Sequence, residues 1–338
     1  MKKNFKIVIA LVLLFIVLVI SSNLNTKVPS LSTKFVIKPG DSFKTITDNL
    51  VNAKVIKDKL FFTSYAYFSG DYRLLKPGEY LFDKEYNIKE VLNILKTNLG
   101  ISITIPEGFN IFQVENELIK KGIITKKGEL VNYKISNLKD DFEKYPFLKN
   151  VNSDNNLEGF LYPNTYYFLK NTNIKEVVTM FLDNFKAEVY LKTQGEVGSD
   201  DFYTKLILAS LLEKEIYHKE DMPKALSVIQ NRIDKKMLLQ IDATLCYIKM
   251  KNNYLANREA DCGSLTNVDK KLDSLYNTYM NKGLISAPIC NVNLETFQKT
   301  LEKVATDYLY YITDPKTKNT IFAKTLEEHN QNINKYLK

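Results

Sequence analysis

An unbroken apolar run from Ile7 to Ile20 stands behind Lys2, Lys3 and Lys6, and it constrains everything downstream. As a helix the run would be about 21 Å long, short of the roughly 30 Å hydrocarbon core of a bilayer. Adding Phe5, a snorkelling Lys6 and Ser21 to Leu24 brings it to about a full span. A cleaved signal peptide is the competing reading, because the length of the run suits one. However, only Ser-Ser-Asn-Leu-Asn follows, with no small-x-small site, and no Cys follows for lipoprotein processing. We therefore expect an uncleaved transmembrane anchor over residues 1–25 in the cytoplasmic (inner) membrane. The Lys cluster would lie inside, and the rest of the chain on the periplasmic or extracytoplasmic side.

The rest of the 338-residue chain has enough apolar side chain, 45%, to build a sizeable core, and its length suits about two domains. Two His residues, His218 and His329, make a His-rich metal site improbable. The chain also lacks GxSxG, GxxxxGK[ST] and GxGxxG motifs, so no metal or other cofactor is expected. The net charge of +8 is spread among interspersed acids, without the basic, aromatic-laced stripe that nucleic acid would need. Chemistry is left to carboxylates, hydroxyls and amides. Cys246, Cys262 and Cys290 are expected as inert buried thiols, with a Cys246–Cys262 bridge as the alternative.

After a polar tether, residues 26–34, the order is strand (Phe35–Lys38), helix to about Leu50, helix Asp58–Ser69 and strand Glu79–Phe82. This βααβ order resembles a small LysM-type glycan-binding module, set here at residues 35–100. Its opening recurs 68 residues later: Ile37, Gly40, Ile46, Leu50 and Ile56 align with Ile105, Gly108, Val114, Leu118 and Ile124. These matches suggest an internal duplication. Residues 101–338 read as a larger α+β domain. Its expected helices are Thr172–Tyr190, about 200–216, Met222–Lys236, Leu294–Thr306 and Thr325–Lys338, with a hairpin around Asp314-Pro315.

The helix through LILASLLEKEI is apolar nearly all round until Glu213 and Glu215. At 100° per residue Glu213 lies within about 60° of Phe202, Leu206, Ala209 and Ile216. Desolvation on such a stripe raises a carboxyl pKa, which suits a general acid. A solvent-facing helix end with Glu213 paired to a Lys is the plainer alternative. Glu215 faces Leu208 and Leu211, so periodicity does not choose between the two acids.

Six blocks in order resemble the YceG-like family of endolytic murein transglycosylases. They are LEGFLYPNTYYF from Leu157, ILASLLEKE from Ile207, SVIQNRI from Ser227, LLQIDAT from Leu238, YNTYMNKGL from Tyr276 and YLYYITDPKTKNTIFAKTLEEHN from Tyr308. The resemblance implies that Glu213, the first Glu of EKE, is the catalytic acid/base, and that residues 101–338 form the catalytic domain. It also implies cleavage of MurNAc–GlcNAc bonds within peptidoglycan glycan strands, leaving 1,6-anhydro ends. Peptidoglycan synthases are among the partners it admits. Gln240, Asp242 and Thr244, read as alternating along one side of a short segment, and Tyr276, Asn277, Thr278 and Tyr279 are the expected sugar contacts. Glu158 reads as a structural acid. The chain departs from the family pattern at Asn164, in the loop Gly283–Ile289 and at Thr320. A non-catalytic wall-binding protein and a hydrolytic muramidase with Asp242 as second carboxylate are the rivals.

Overall fold

A computed structural model describes residues 33–38, 40–82, 85–97, 101–168, 171–193 and 199–337. The anchor expected over residues 1–25 and nearly all of the tether lie outside the described residues. Among the described residues no helix is long and apolar enough to cross a membrane. The fold is α+β, and the chain divides into two units: Met1–Ser102 with Tyr167–Lys170, and Ile103–Tyr166 with Asn171–Lys338.

In the first unit β1 (Thr33–Ile37) pairs antiparallel with β2 (Gly78–Phe82), with Phe35 opposite Tyr80. Between them lie α1 (Phe43–Asn52), started by Ser42 accepting the Thr45 N–H, and α2 (Lys59–Ser69), started by Asp58 accepting the Phe61 N–H. Such caps satisfy otherwise orphaned amides at a helix start. A further helix, α3 (Ile88–Lys96), begins at a reciprocal Asn87–Glu90 capping box and was not expected. Phe35, Ile37, Ile46, Leu50, Phe62, Phe82 and Leu92 form the core of this unit.

The second unit opens as the first does. β3 (Ile101–Thr104), whose first two residues still belong to the first unit, leads through Gly108 into α4 (Ile111–Lys120), capped by Asn110. Gly40 and Gly108 both adopt positive φ, and each aligned apolar pair, from Ile37/Ile105 to Ile56/Ile124, is buried. β3 pairs with β4 (Thr165–Phe168). Next come α5 (Ile174–Phe185), prolonged by a π-helical turn to Tyr190, and α6 (Ser199–Glu215). α6 packs against α7 (Met222–Asp234), α8 (Asp242–Leu255) and α9 (Leu294–Lys299). The hairpin β5 (Tyr310–Thr313) and β6 (Thr320–Ala323) and the helix α10 (Leu326–Tyr336) complete the unit. α9 stops at Lys299 rather than Thr306, because Thr300 turns back on Phe297 and its carbonyl accepts the Lys205 ammonium at 3.0 Å.

The thiols are the clearest correction. Cys246, on α8, and Cys262, beyond its C-terminus, form a disulfide, and only Cys290 is free. Cys290 is wholly buried, donates to the Ser210 carbonyl at 3.3 Å, and its thiol is pushed well above the usual range by burial. A bridge spanning 16 residues stabilises by about 3 kcal/mol in the chain-entropy account. Reduction is therefore expected to lower the melting temperature by roughly 6–12 °C. Calorimetry with and without reductant checks this; an unchanged transition would show that the bridge contributes nothing.

Candidate active site

α6 is a core helix for most of its length: Phe202, Leu206, Ala209, Leu211 and Leu212 are buried. It reaches the surface at its last turn, where Glu213 is half-buried. Glu213 Oε2 accepts the Thr296 hydroxyl at 2.5 Å, and its other oxygen has no hydrogen bond among the described residues. Thr296 is buried in the first turn of α9, fixed there by its N–H to Asn293 Oδ1 at 2.8 Å.

The turn before α4 also borders Glu213. Lys214 Nζ donates to the Gly108 carbonyl at 3.3 Å, and a Cβ built on Gly108 would stand 3.7 Å from Glu213 Cγ. Asn291 clamps this turn. Its carbonyl accepts Gly108 N–H at 2.9 Å, its N–H donates to the Phe109 carbonyl at 2.8 Å, and its side chain bridges Phe109 and the Leu161 N–H. Glu107 accepts Asn293 Nδ2 at 2.5 Å and pairs with Lys219 at 3.6 Å, while Lys219 also reaches Glu295 at 3.0 Å. Burial raises the Glu213 pKa and the Glu107 charge adds to it; the Thr296 hydroxyl, Lys219 and Lys214 pull the other way.

Glu215 has different neighbours. Its oxygens accept the Ala243 N–H at 3.1 Å and the Tyr311 hydroxyl at 3.4 Å. Burial pushes it to about 7, against the Ala243 N–H bond, and the charge of Asp242 adds to the rise. A raised pKa therefore marks both acids. What separates them is that Glu215 spends both oxygens on the fold and Glu213 spends one.

The expected sugar contacts divide. Gln240, Asp242, Tyr276 and Tyr279 reach the surface, with Tyr279 donating to Asp242 at 2.5 Å. Thr244, Asn277 and Thr278 are buried, and their polar groups bond inward. The Thr244 and Thr278 hydroxyls meet at 3.0 Å, and Asn277 donates to the Leu272 carbonyl at 2.7 Å. The alternation expected for residues 240–244 is absent. Gln240 has a positive φ, and Asp242 and Thr244 lie in the first turn of α8.

Glu158 is a buried acid whose two oxygens accept the Ile111 N–H at 3.1 and 3.0 Å, at the start of α4. Burial pushes it to about 8, opposed mainly by that N–H. Of the departures from the family pattern, Asn164 accepts the Ile105 N–H at its carbonyl, Pro288 packs against Gly159, and Thr320 pairs with Thr313 in the hairpin. Among the described residues no three His, Cys, Asp or Glu side chains gather as metal ligands would. A cavity of about 600 Å³ opens between α6, α7 and residues 300–305, lined by Lys205, Leu208, Leu226 and Asn231 rather than by the groups around Glu213.

Glu158 and Glu215 make stability depend on pH. Both are protonated more readily folded than unfolded, where Glu titrates near 4.3. The folded chain therefore binds more protons between about pH 4.5 and 8, and its stability falls as pH rises through that window. The melting temperature is expected to be higher at pH 5 than at pH 8, with Glu158→Gln flattening the slope. A slope unchanged in that variant would contradict the assignment.

The chain is 30% identical over 317 residues to the endolytic murein transglycosylase of Bacillus subtilis, covering 89% of this chain and 84% of that protein. It is 25% identical over 318 residues to the Streptococcus pneumoniae protein of the same name, covering 88% of this chain but 57% of that one. A crystal structure of a yceG-like protein from Listeria monocytogenes superposes with a TM-score of 0.57 at 27% identity, covering 89% of this chain and 99% of that one. The sequence pattern of the YceG-like family matches residues 35–335, so the chain belongs to the YceG-like family.

Proposed function

We propose that this protein is an endolytic peptidoglycan transglycosylase, held by residues 1–25 in the cytoplasmic membrane with its catalytic part outside the cytoplasm. The observation that carries the reading is the half-buried carboxyl of Glu213, raised in pKa, with one oxygen on Thr296 and the other open. As the acid, Glu213 donates its proton to the glycosidic oxygen as the bond from the muramyl C1 breaks. As the carboxylate, it takes the proton of the muramyl 6-hydroxyl as that oxygen bonds to C1. The product is a 1,6-anhydro end, and no water is consumed. Gln240, Asp242, Tyr276 and Tyr279 are the sugar contacts in this reading. Thr244, Asn277 and Thr278 support them from beneath. The first unit, with its βααβ order, serves as a LysM-like glycan contact, and cutting nascent strands would end their elongation beside peptidoglycan synthases. The Cys246–Cys262 disulfide suits an oxidising location outside the cytoplasm.

A hydrolytic muramidase is the second reading, because Glu107 is an acid close enough to raise Glu213. Asp242 is tied to Tyr279 and acts on Glu215, so it no longer fits the role of second carboxylate. Glu107 is itself tied to Asn293 and Lys219. Incubation with purified uncrosslinked glycan strands tests for catalysis of either kind. Long strands are expected to shorten by internal cuts. Strands bound but unchanged in length would favour a wall-binding protein.

A further inference from the structure

The first unit carries an apolar surface that its own core does not use. α2 buries Phe62 and Ala66, yet its opposite face leaves Leu60 77%, Tyr67 54% and Phe68 91% exposed. At 100° per residue, Leu60, Phe61, Ser64, Tyr67 and Phe68 fall within an arc of about 120°. A surface helix usually turns polar residues outward, and one apolar all round is normally covered. Leu74, in the turn that follows, is 55% exposed and extends the apolar surface. The face is built rather than loose: Tyr67 is wedged between Phe43 and Tyr72, with ring centroids 5.2 and 4.5 Å away.

We infer that the outward face of α2 docks on the surface of an anionic lipid bilayer. Three observations choose this occupant. The face offers Leu and Phe side chains with only Ser64 and the Tyr67 hydroxyl as polar groups, which suits acyl chains better than a sugar's ring of hydroxyls. Exposed Lys57 precedes α2, and exposed Arg73 and Lys76 follow its end. The nearby acids are occupied: Asp58 caps α2, Asp48 pairs with Lys59, and Asp71 pairs with Lys96 at 2.9 Å. Finally, residues 26–32 separate the anchor from β1 and can span at most about 25 Å, so an inserted anchor would keep this unit near the headgroups. The inference rests on the anchored reading.

The chain contains no Trp, so Phe68→Trp places a single reporter on the face. The full chain is reconstituted into vesicles of equal phosphatidylglycerol and phosphatidylcholine and floated on a density gradient. The expected result is a blue-shifted emission, quenched by lipids brominated at about the 5–10 Å depth of interfacial side chains. Quenching should weaken in pure phosphatidylcholine and when Leu60→Glu is added, while the protein still floats. Phe68→Trp protein that floats with its indole unquenched overturns the inference alone. An emission shift caused only by added glycan strands overturns it in favour of sugar binding. Protein that fails to float overturns it together with the anchor.

Discussion

Glu213→Gln is expected to lower glycan cleavage by at least about 10²–10⁴-fold while the protein stays folded. Gln keeps the size and the carbonyl oxygen of Glu, so Thr296 can still donate to it across the 2.5 Å contact, and α6 packs as before. What is lost is the proton in both directions, so leaving-group protonation and 6-hydroxyl deprotonation fail together. Because burial disfavours the Glu213 anion, melting temperature at pH 8 should hold or rise slightly in the variant. Glu215→Gln should do much less to cleavage, since its oxygens serve Ala243 and Tyr311. Turnover assays with circular dichroism on both variants check this. Equal loss in two folded variants would move the acid's role to Glu215 or to the pair.

Gly159→Ala is expected to destabilise the second unit by about 3 kcal/mol or more, a fall of roughly 6–12 °C in melting temperature. Gly159 has φ +90°, which L side chains rarely adopt, and its neighbours leave no room. An added Cβ would lie 2.7 and 2.8 Å from the Pro288 ring and 3.2 Å from Leu206 Cδ2. The Pro ring cannot rotate aside, and Leu206 belongs to the helix that carries Glu213. The Glu of this LEGF block reaches the start of α4 and its Gly seats the loop against α6. The block therefore braces α6 and the start of α4, the elements that border Glu213. Pro288→Ala combined with Gly159→Ala should recover part of the loss. No recovery would place the cost in backbone strain rather than in the clash.

Much of the first unit was legible because local chemistry sets its boundaries. Ser42 and Asp58 start α1 and α2 as cap residues should, and the strands flank them in the expected order. The Asn87–Glu90 box that starts α3 is equally local and was overlooked. α8 was not legible in this way. No side chain of its own caps it; instead Glu215 accepts the Ala243 N–H from α6, and Thr278 accepts the Ile241 N–H. A helix started by groups 28 and 37 residues away leaves no periodic signal at its beginning. Its polar first residues then read as an alternating segment. The disulfide stood only as the alternative for the same reason, since Cys246 rides on that helix. Around Glu213 periodicity offered two acids without choosing between them, and only the resemblance of the EKE block pointed to Glu213. Thr296 and Asn291 carry no local mark, being polar residues whose partners are set by packing of α6, α9 and the turn before α4.

The most direct test is digestion of purified glycan strands in water enriched in ¹⁸O, with the new ends weighed by mass spectrometry. If Glu213 returns the 6-hydroxyl to its own ring, the new muramyl ends are 1,6-anhydro, lighter than a reducing end by one water, and carry no ¹⁸O. Glu107→Gln should leave that product unchanged. Reducing ends carrying ¹⁸O, lost in Glu107→Gln, would contradict the account and make the enzyme a hydrolase with Glu107 as its second carboxylate.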